Sequence, residues 1–445
     1  RTGALAIGVP GALAAYDLAI REHGNIDLAE HLGQAATIAE QGFELDDAYL
    51  RRLGQVVKKL RQFPGSAKIF LNAEGNPWPS GHRLRQPDLA RSYRKIAGHS
   101  GDWFYRGPFA LKTEQWMSTN GGLMTRDDFA HYEARRREPV RTTYRGHEII
   151  GFPPPSSGGV HVAQILNILE AYDLRSMAPD SAGFVHLVTE AMRLAFADRL
   201  AYIGDPDFVR VPMEELLSPD YAERRRALVQ MDRSPEIVPA GELRHSGAPN
   251  PSTSYFCVID AAGNAVSFIH SLSQYYGSGF VPGETGVLLN DRTGRGFYLD
   301  EGHVNVIAPG KRTINTIHNY MVKDDAGDLV LVGGTPGGDN QPQWNAQVLS
   351  AIYKHGMGVQ EAADEPRWTH FPGTDPRSID QEVVLRMENG FDADVVRGLE
   401  ARGHKVVPYP EFGTPGAVQL IAIDPATGVH AGGTDRRCDG YPIPE

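Results

Sequence analysis

Thr253 opens a run of aromatic and β-branched residues, Thr253-Ser254-Tyr255-Phe256-Cys257-Val258-Ile259, that reads as a strand and stops at the turn cluster Asp260-Ala261-Ala262-Gly263-Asn264. The stretch before it, Gly247-Ala248-Pro249-Asn250-Pro251-Ser252, holds two prolines and no apolar periodicity, which predicts an exposed, cleavable loop. A threonine at that junction has a chemical use if the chain is cut in front of it. Cleavage between Ser252 and Thr253 leaves an α-amine, titrating near ~7.7–8.0, beside the hydroxyl. Nucleophile and general base then come from one residue, and the oxygen can attack an amide carbonyl. The same local pattern also describes an ordinary strand threonine.

A second candidate is Gly333-Gly334-Thr335-Pro336-Gly337-Gly338-Asp339, between the strand Leu329-Val330-Leu331-Val332 and a helix expected to start near Gln341. Paired glycines let backbone approach a ligand, and N–H groups at a helix start face negative charge, as an oxyanion hole requires. Plain turn material is the alternative. Other chemistries lack their motifs: there is no Gly-x-Ser-x-Gly, no His-Glu-x-x-His and no Gly-x-Gly-x-x-Gly after a strand, and Pro309-Gly310-Lys311-Arg312-Thr313 has the wrong spacing for a P-loop. His270 and His318, in strand-like context, read as satisfied core or surface residues.

The net charge of −11, with both signs mixed along the chain, argues against nucleic acid as a partner. Arg135-Arg136-Arg137 and Arg224-Arg225-Arg226 read as solvated surface runs. Cys257 and Cys438 are too few for a disulfide framework or a thiolate metal site, so a cytoplasmic and a periplasmic location both stay open. No apolar run reaches the ~20 residues of a membrane span. The start at Arg1-Thr2-Gly3, without methionine or signal peptide, reads as if an N-terminal portion were missing.

These residues need elements to hold them. Apolar periodicity predicts helix within 4–23 and over 28–41, 45–61 and 87–99, an N-cap at Thr125, and two short strands between 140 and 150. Pro153-Pro154-Pro155-Ser156-Ser157-Gly158-Gly159 predicts a rigid turn into a buried helix over 160–169. Phosphate binding is the less favoured reading there, since no Lys-Ser/Thr follows. A long helix over 186–202 precedes the loose segment 232–252, the best internal boundary. Hairpins follow at 253–272, 319–332 and 417–431, separated by helices at 342–355 and 391–402. The expected fold class is α/β in the α+β sense, with two sheets packed together inside two helical layers.

The run from Thr253 to Gly279 resembles the start of the small subunit of γ-glutamyltranspeptidases, self-cleaving members of the N-terminal nucleophile hydrolases. So do Gly283-Glu284-Thr285-Gly286-Val287-Leu288-Leu289-Asn290 and Pro336-Gly337-Gly338. Pro153 to Gly159, Glu190 to Arg199 and Gly204-Asp205-Pro206-Asp207-Phe208 are similar to that family's large subunit. The resemblance implies a four-layer αββα sandwich made as one precursor. Residues 1–252 would form the large-subunit part and 253–445 the small one, with the Ser252–Thr253 bond cut by the Thr253 hydroxyl. It implies Thr253 as nucleophile, Gly337 and Gly338 as oxyanion-hole residues, and Thr335 as a support for their turn. The implied partners are a small-molecule amide substrate and the two subunits of one precursor, with a homo-oligomer of such heterodimers possible. No cofactor and no metal are called for.

The departures bear on substrate. Family members hold the substrate's α-amino group with amide and acidic side chains after Leu-Leu-Asn, whereas this chain has Asp291-Arg292-Thr293-Gly294-Arg295-Gly296-Phe297. Arg292 and Arg295 would repel an ammonium and attract a carboxylate. Asn315-Thr316 stand where paired serines grip the α-carboxylate, and Ser273 stands where asparagine is usual. The arginine that normally shares that carboxylate would lie in the missing N-terminal portion. Asp339-Asn340-Gln341-Pro342-Gln343 resembles a branch with oxamate amidohydrolase-like and cephalosporin acylase-like members. The expectation is an autoprocessing amidohydrolase or acyltransferase for a small amide with an acid-bearing acyl part, anchored by Arg292 or Arg295. The alternatives are a genuine γ-glutamyl transferase or glutathione hydrolase, an uncleaved non-enzymatic homologue, and a carbon–carbon hydrolase using the same nucleophile.

Overall fold

The computed structural model describes residues 2–241, 252–373 and 381–444, with only the backbone of Ser252. The expected cleavable loop therefore lies outside the described residues, except for that backbone. Packing divides the chain into two compact units: Arg1–Arg137 with Ser271–Arg295, and Glu138–His270 with Gly296–Glu445. This is a different division from 1–252 and 253–445, which concerns a backbone break.

The second unit is built from β1 (Val140–Tyr144), β2 (His147–Gly151), α1 (Gly158–Leu169), α2 (Ala182–Tyr202), β3 (Ser252–Ile259), β4 (Ala265–Ser273, whose last residues pass into the first unit), β5 (Asn319–Lys323), β6 (Leu329–Gly334), α3 (Asn340–His355), β7 (Trp368–Phe371), β8 (Val384–Glu388), α4 (Ala393–Glu400), β9 (Val406–Tyr409), β10 (Gln419–Ile423) and β11 (His430–Thr434). Six of the strands form one antiparallel sheet in the order β11-β10-β6-β5-β2-β1. The hairpins β5–β6 and β10–β11 lie where turn residues predict them. The joins between hairpins, Gly151 with Tyr320 and Gly334 with Gln419, are long-range.

On one face of this sheet Ile149, Tyr320, Val322, Leu331 and Leu420 meet Val162, Leu166, Leu187, Val188 and Leu349 from the helices in one core. Nearly every residue of α1 is apolar and buried, the pattern of a helix covered on all sides. α2 is as deeply buried but carries charges, each with a partner: Glu190 with Arg193, Asp198 with Arg225, Arg199 with Asp339. β3 pairs with β4 in a separate two-stranded sheet. β3 also packs closely on the large sheet, where a methyl group on Gly334 would come within 2.9 Å of the Tyr255 ring. A third sheet has the order β9-β8-β7, parallel between β9 and β8 and antiparallel between β8 and β7.

The first unit is mostly helical. Its core stacks Phe104 on Phe109 and Trp116 on Phe280. The expected helix over 45–61 is two pieces, Asp47–Gly54 and Val57–Leu60, interrupted after a glycine with poor helix propensity. Asn290 ties its own loop to the chain start, accepting from the Gly8 N–H at 3.1 Å and donating to the Gly8 carbonyl at 2.8 Å.

One expectation is corrected. The run Arg224–Arg226 is not a solvated face: Arg225 is buried, donates to the carbonyls of Leu194 and Pro239, and pairs with Asp198, while Arg226 donates to the carbonyls of Asn167 and Ile168. Consecutive helical residues point about 100° apart, so three adjacent arginines at the end of a short helix cannot share one environment.

Candidate functional site

Thr253 is the second residue of β3, half-buried, with its Oγ1 accepting a hydrogen bond from Gln341 Nε2 at 3.4 Å. The strand is registered by Tyr255, whose hydroxyl lies 2.9 Å from Ser267 Oγ on β4. Asn319 at the start of β5 donates to both the Ser267 carbonyl and its Oγ. Ser267 thus ties the strand that carries the threonine to the start of β5.

β6 leads into the glycine turn. Gly337 (φ +136°) and Gly338 (φ +69°) both occupy the region that disfavours side chains, and a methyl group on Gly337 would come within 2.4 Å of Trp344 Cζ3. The Trp344 ring is pinned by its own Nε1–H to Thr369 Oγ1. The carbonyls of Gly337 and Gly338 accept from the N–H groups of Asn340 and Gln341 at the start of α3. No hydrogen bond from the amides of Gly337 and Gly338 themselves occurs among the described residues. Thr335, fully buried, donates to the Pro336 carbonyl and accepts from the Ala417 N–H, fastening the turn to the chain leading into β10. Asp339 at the other end of the turn is buried against Arg199 at 2.6 Å.

The segment Asn315–His318 is held by the proline–serine–glycine turn ahead of α1. Ser157 donates to the Asn315 carbonyl through both its N–H and its hydroxyl, Ser156 donates to the Ile317 carbonyl, and Asn315 N–H donates to the Pro155 carbonyl. A methyl group on Gly158 would sit 2.3 Å from His318 Cβ, and one on Gly159 2.2 Å from the Phe152 carbonyl oxygen. These glycines are small because other backbone passes over them, which is the packing reading of that motif. Thr316 is buried with its hydroxyl unpartnered among the described residues. The His318 N–H donates to Gln341 Oε1 at 2.9 Å. Gln341 therefore joins three features: the threonine, the glycine turn and the 315–318 segment. Sequence reasoning assigned it no role, although its place three residues after Gly338, at the start of α3, was the available signal.

In the first unit, Ser273 (φ +83°) is fully buried, and its hydroxyl has no partner among the described residues. Its carbonyl accepts from the buried Arg295 at 3.4 Å. Arg292 is half-buried, and burial pushes its guanidinium down to about 10 against the opposing charge of Asp291. Asp291 Oδ1 accepts from the Gln274 N–H, so the arginine loop is fixed to the segment carrying Ser273.

One cluster among the described residues has metal-ligand side chains: His186, Glu190 and His404. Their atoms are engaged with one another and with protein. His186 meets His404 and the Gln230 carbonyl, both at 2.7 Å, and Glu190 is bonded by Arg193 and Ser234. His318, expected to be satisfied, has both ring nitrogens buried without a hydrogen-bond partner among the described residues, as do His161 and His370.

These imidazoles predict acid lability. Burial pushes His318, His370 and His404 down to about 3, and His161 well below its usual range. Their folded-state pKa values are depressed, so the neutral rings contribute stability above the unfolded value near ~6.5. That stability is lost as pH falls from there toward 3, because the unfolded chain binds protons that the folded one refuses. The thermal midpoint should fall steeply from pH 6.5 to 5, where most carboxylates are still ionised, with net proton uptake on unfolding. A midpoint constant across that interval would contradict the reading.

The chain matches the family model described as gamma-glutamyltranspeptidase over residues 1–444. It is 34% identical over 450 residues to the glutathione hydrolase proenzyme of Escherichia coli (strain K12), covering 98% of this chain and 75% of that protein. It is 37% identical over 443 residues to the acylase ACY 1 proenzyme of Pseudomonas sp. (strain SE83), covering 99% and 75%. The crystal structure of cephalosporin acylase from Bacillus halodurans superposes with a TM-score of 0.89 at 30% identity, covering 99% of this chain and 78% of that one. The mixed α+β fold, of the N-terminal nucleophile hydrolase type, is shared with that acylase. A match along nearly the whole chain, together with relatives above 30% identity over their greater part, places this protein in the γ-glutamyltranspeptidase family.

Proposed function

We propose that the chain is an autoprocessing amidohydrolase that cleaves a small amide with a carboxylate-bearing acyl group through an ester on Thr253. In this reading the Thr253 hydroxyl first attacks the Ser252 carbonyl, the Ser252–Thr253 C–N bond breaks to leave an ester on Oγ and a free α-amine, and water then hydrolyses that ester to give the Ser252 carboxylate and the free hydroxyl. That amine then takes the hydroxyl proton as Oγ attacks the substrate carbonyl. The carbonyl electron pair moves onto oxygen between the amides of Gly337 and Gly338. Collapse expels the amine, which leaves with the proton, and water or a second amine removes the acyl group. Preorganised donors of this kind act where charge develops, and losing one typically costs ~3 kcal/mol of transition-state stabilisation.

The observation that carries this reading is the bond from Gln341 to Thr253, made by the residue whose own N–H closes the glycine turn. The buried, unpartnered hydroxyl of Thr316, in the 315–318 segment that Gln341 also bonds, adds to it. A buried polar group without a partner costs ~1–3 kcal/mol, so such groups fall where a ligand repays the cost. Arg292 supplies the charge that would select a carboxylate over an ammonium. At an effective dielectric of 20, two like charges ~6 Å apart repel by roughly 3 kcal/mol, about two orders of magnitude in binding.

Kinetics on glutaryl-p-nitroanilide, γ-glutamyl-p-nitroanilide and oxamate test the proposal. Glutaryl-p-nitroanilide should exceed its γ-glutamyl counterpart at least tenfold in kcat/KM, because only the latter carries an ammonium. Arg292→Ala should raise KM for the glutaryl compound ~10–100-fold, the loss of one charge-assisted contact of ~1.5–3 kcal/mol. Efficient turnover of the γ-glutamyl compound alone would instead assign the chain to glutathione-type chemistry.

A further inference from the structure

We infer that Gln341 is a positioning residue for the nucleophile: its side-chain amide holds Thr253 Oγ1 as a hydrogen-bond acceptor and couples that oxygen to the segment Asn315–His318. The inference rests on the proposed role of Thr253. It goes beyond that role by naming the group that aims the hydroxyl.

The amide has one possible orientation. The backbone N–H of His318 can only donate, and it meets Gln341 at 2.9 Å, so the atom facing it is the carbonyl Oε1. Nε2 must then face Thr253 Oγ1, at 3.4 Å, and it can only donate. Gln341 is fully buried, its N–H bonds the Gly338 carbonyl, and it occupies the second position of α3, so it is fixed at both ends. The contact is at the long end of the hydrogen-bond range, as contacts that tighten along a reaction often are before substrate binds.

A donor to Oγ has two consequences. It uses one lone pair of the hydroxyl, so the O–H is left for the base and the remaining lone pair for the carbonyl carbon. It also favours the negative charge that grows on Oγ as the proton departs, lowering the barrier to attack in cleavage and in turnover alike. The same amide feels the 315–318 segment through His318. A ligand that shifts Asn315 or Thr316 would therefore be reported to the nucleophile through one side chain.

Two variants separate this role from packing. Gln341→Met fills the space and makes neither bond. Its kcat should fall ~10–100-fold with KM within twofold of wild type. Gln341→Glu keeps the acceptor for the His318 N–H, but an ionised carboxylate cannot donate to Thr253, and as a buried charge it should lower the thermal midpoint at pH 8 and let it recover toward wild type as the group protonates. As pH falls and the introduced carboxyl takes up a proton, the donor returns. The ratio of Gln341→Glu to wild-type kcat should therefore rise several-fold between pH 8 and 5.5.

Wild-type kcat in Gln341→Met overturns the inference. So does a Gln341→Glu ratio that stays low at pH 5.5 although the midpoint has recovered to the wild-type value there, since a protonated carboxyl then restores the donor without restoring turnover. A wild-type protein that stays whole and inert fails the proposed function itself. An active wild type with an indifferent Gln341 fails only the present inference.

Discussion

Thr253→Ala is expected to leave one uncut polypeptide on a denaturing gel and to lower turnover by at least ~10⁴-fold. Loss of a nucleophile that acts as a unit with its base removes nearly all the chemistry and leaves only what binding and the oxyanion donors contribute. The wild-type chain should instead give two polypeptides, 1–252 and 253–445, and the smaller should begin with threonine on intact-mass analysis. Thr253→Ser keeps hydroxyl and amine, so it should still cut itself and turn over, more slowly for want of the methyl group that limits the rotamers. A single full-length wild-type chain, or a Thr253→Ala protein that works, would return the molecule to the class of uncleaved binding proteins.

The strand that carries this residue is legible in sequence because its signal is local, whereas the residue itself stands out only through the resemblance to the family. β3 shows itself through β-branched and aromatic residues, and its end through Asp260, whose carboxylate accepts from the N–H groups of Ala262 and Asn264 in the structure. The glycine turn is legible for a similar reason: Gly337 and Gly338 have positive φ, which few other residues tolerate. The three hairpins were readable from their turns. What joins them was not, since the pairing of β2 with β5 unites residues about 170 positions apart and no periodicity encodes a partner at that range.

The same limit explains what was missed. Gln341 reads as one polar residue in a helix start, and its role exists only because His318 and Thr253 come to opposite ends of its amide. Arg225 reads as surface because burial of a charge depends on a partner, Asp198, on another helix. The turn Pro153–Gly159 shows that smallness is needed but not for what; here the answer is Ile317 and His318 passing over Gly158 and the Phe152 backbone passing over Gly159. The sequence offered Arg292 or Arg295 as the anchor, and the two differ in exposure. Arg295 is buried and already bonds the Ser273 carbonyl, whereas Arg292 is the more accessible of the two.

Asp339→Ala should lower the thermal midpoint by roughly 4 °C, measured in the Thr253→Ala background so that all proteins share one covalent state. Arg199 and Asp339 are both essentially inaccessible and meet at 2.6 Å, so removing the carboxylate takes a charge partner away from a guanidinium in the interior. Breaking such a buried pair costs about 3–5 kcal/mol, mostly the desolvation of the abandoned charge rather than the attraction lost. The double variant Arg199→Met with Asp339→Leu removes both charges and should recover much of the midpoint, because apolar groups of similar volume need no partner. Stability and activity should then part. Asp339 follows Gly338 directly, and a leucine at that position no longer ties the turn to α2, so in the cleavable Thr253 background the recovered double variant should still fall at least tenfold in kcat. Equal recovery of both would mean that the pair serves the fold alone. A single Asp339→Ala variant melting within a degree of its parent would mean that the guanidinium finds other acceptors and that the pair does not fix the turn.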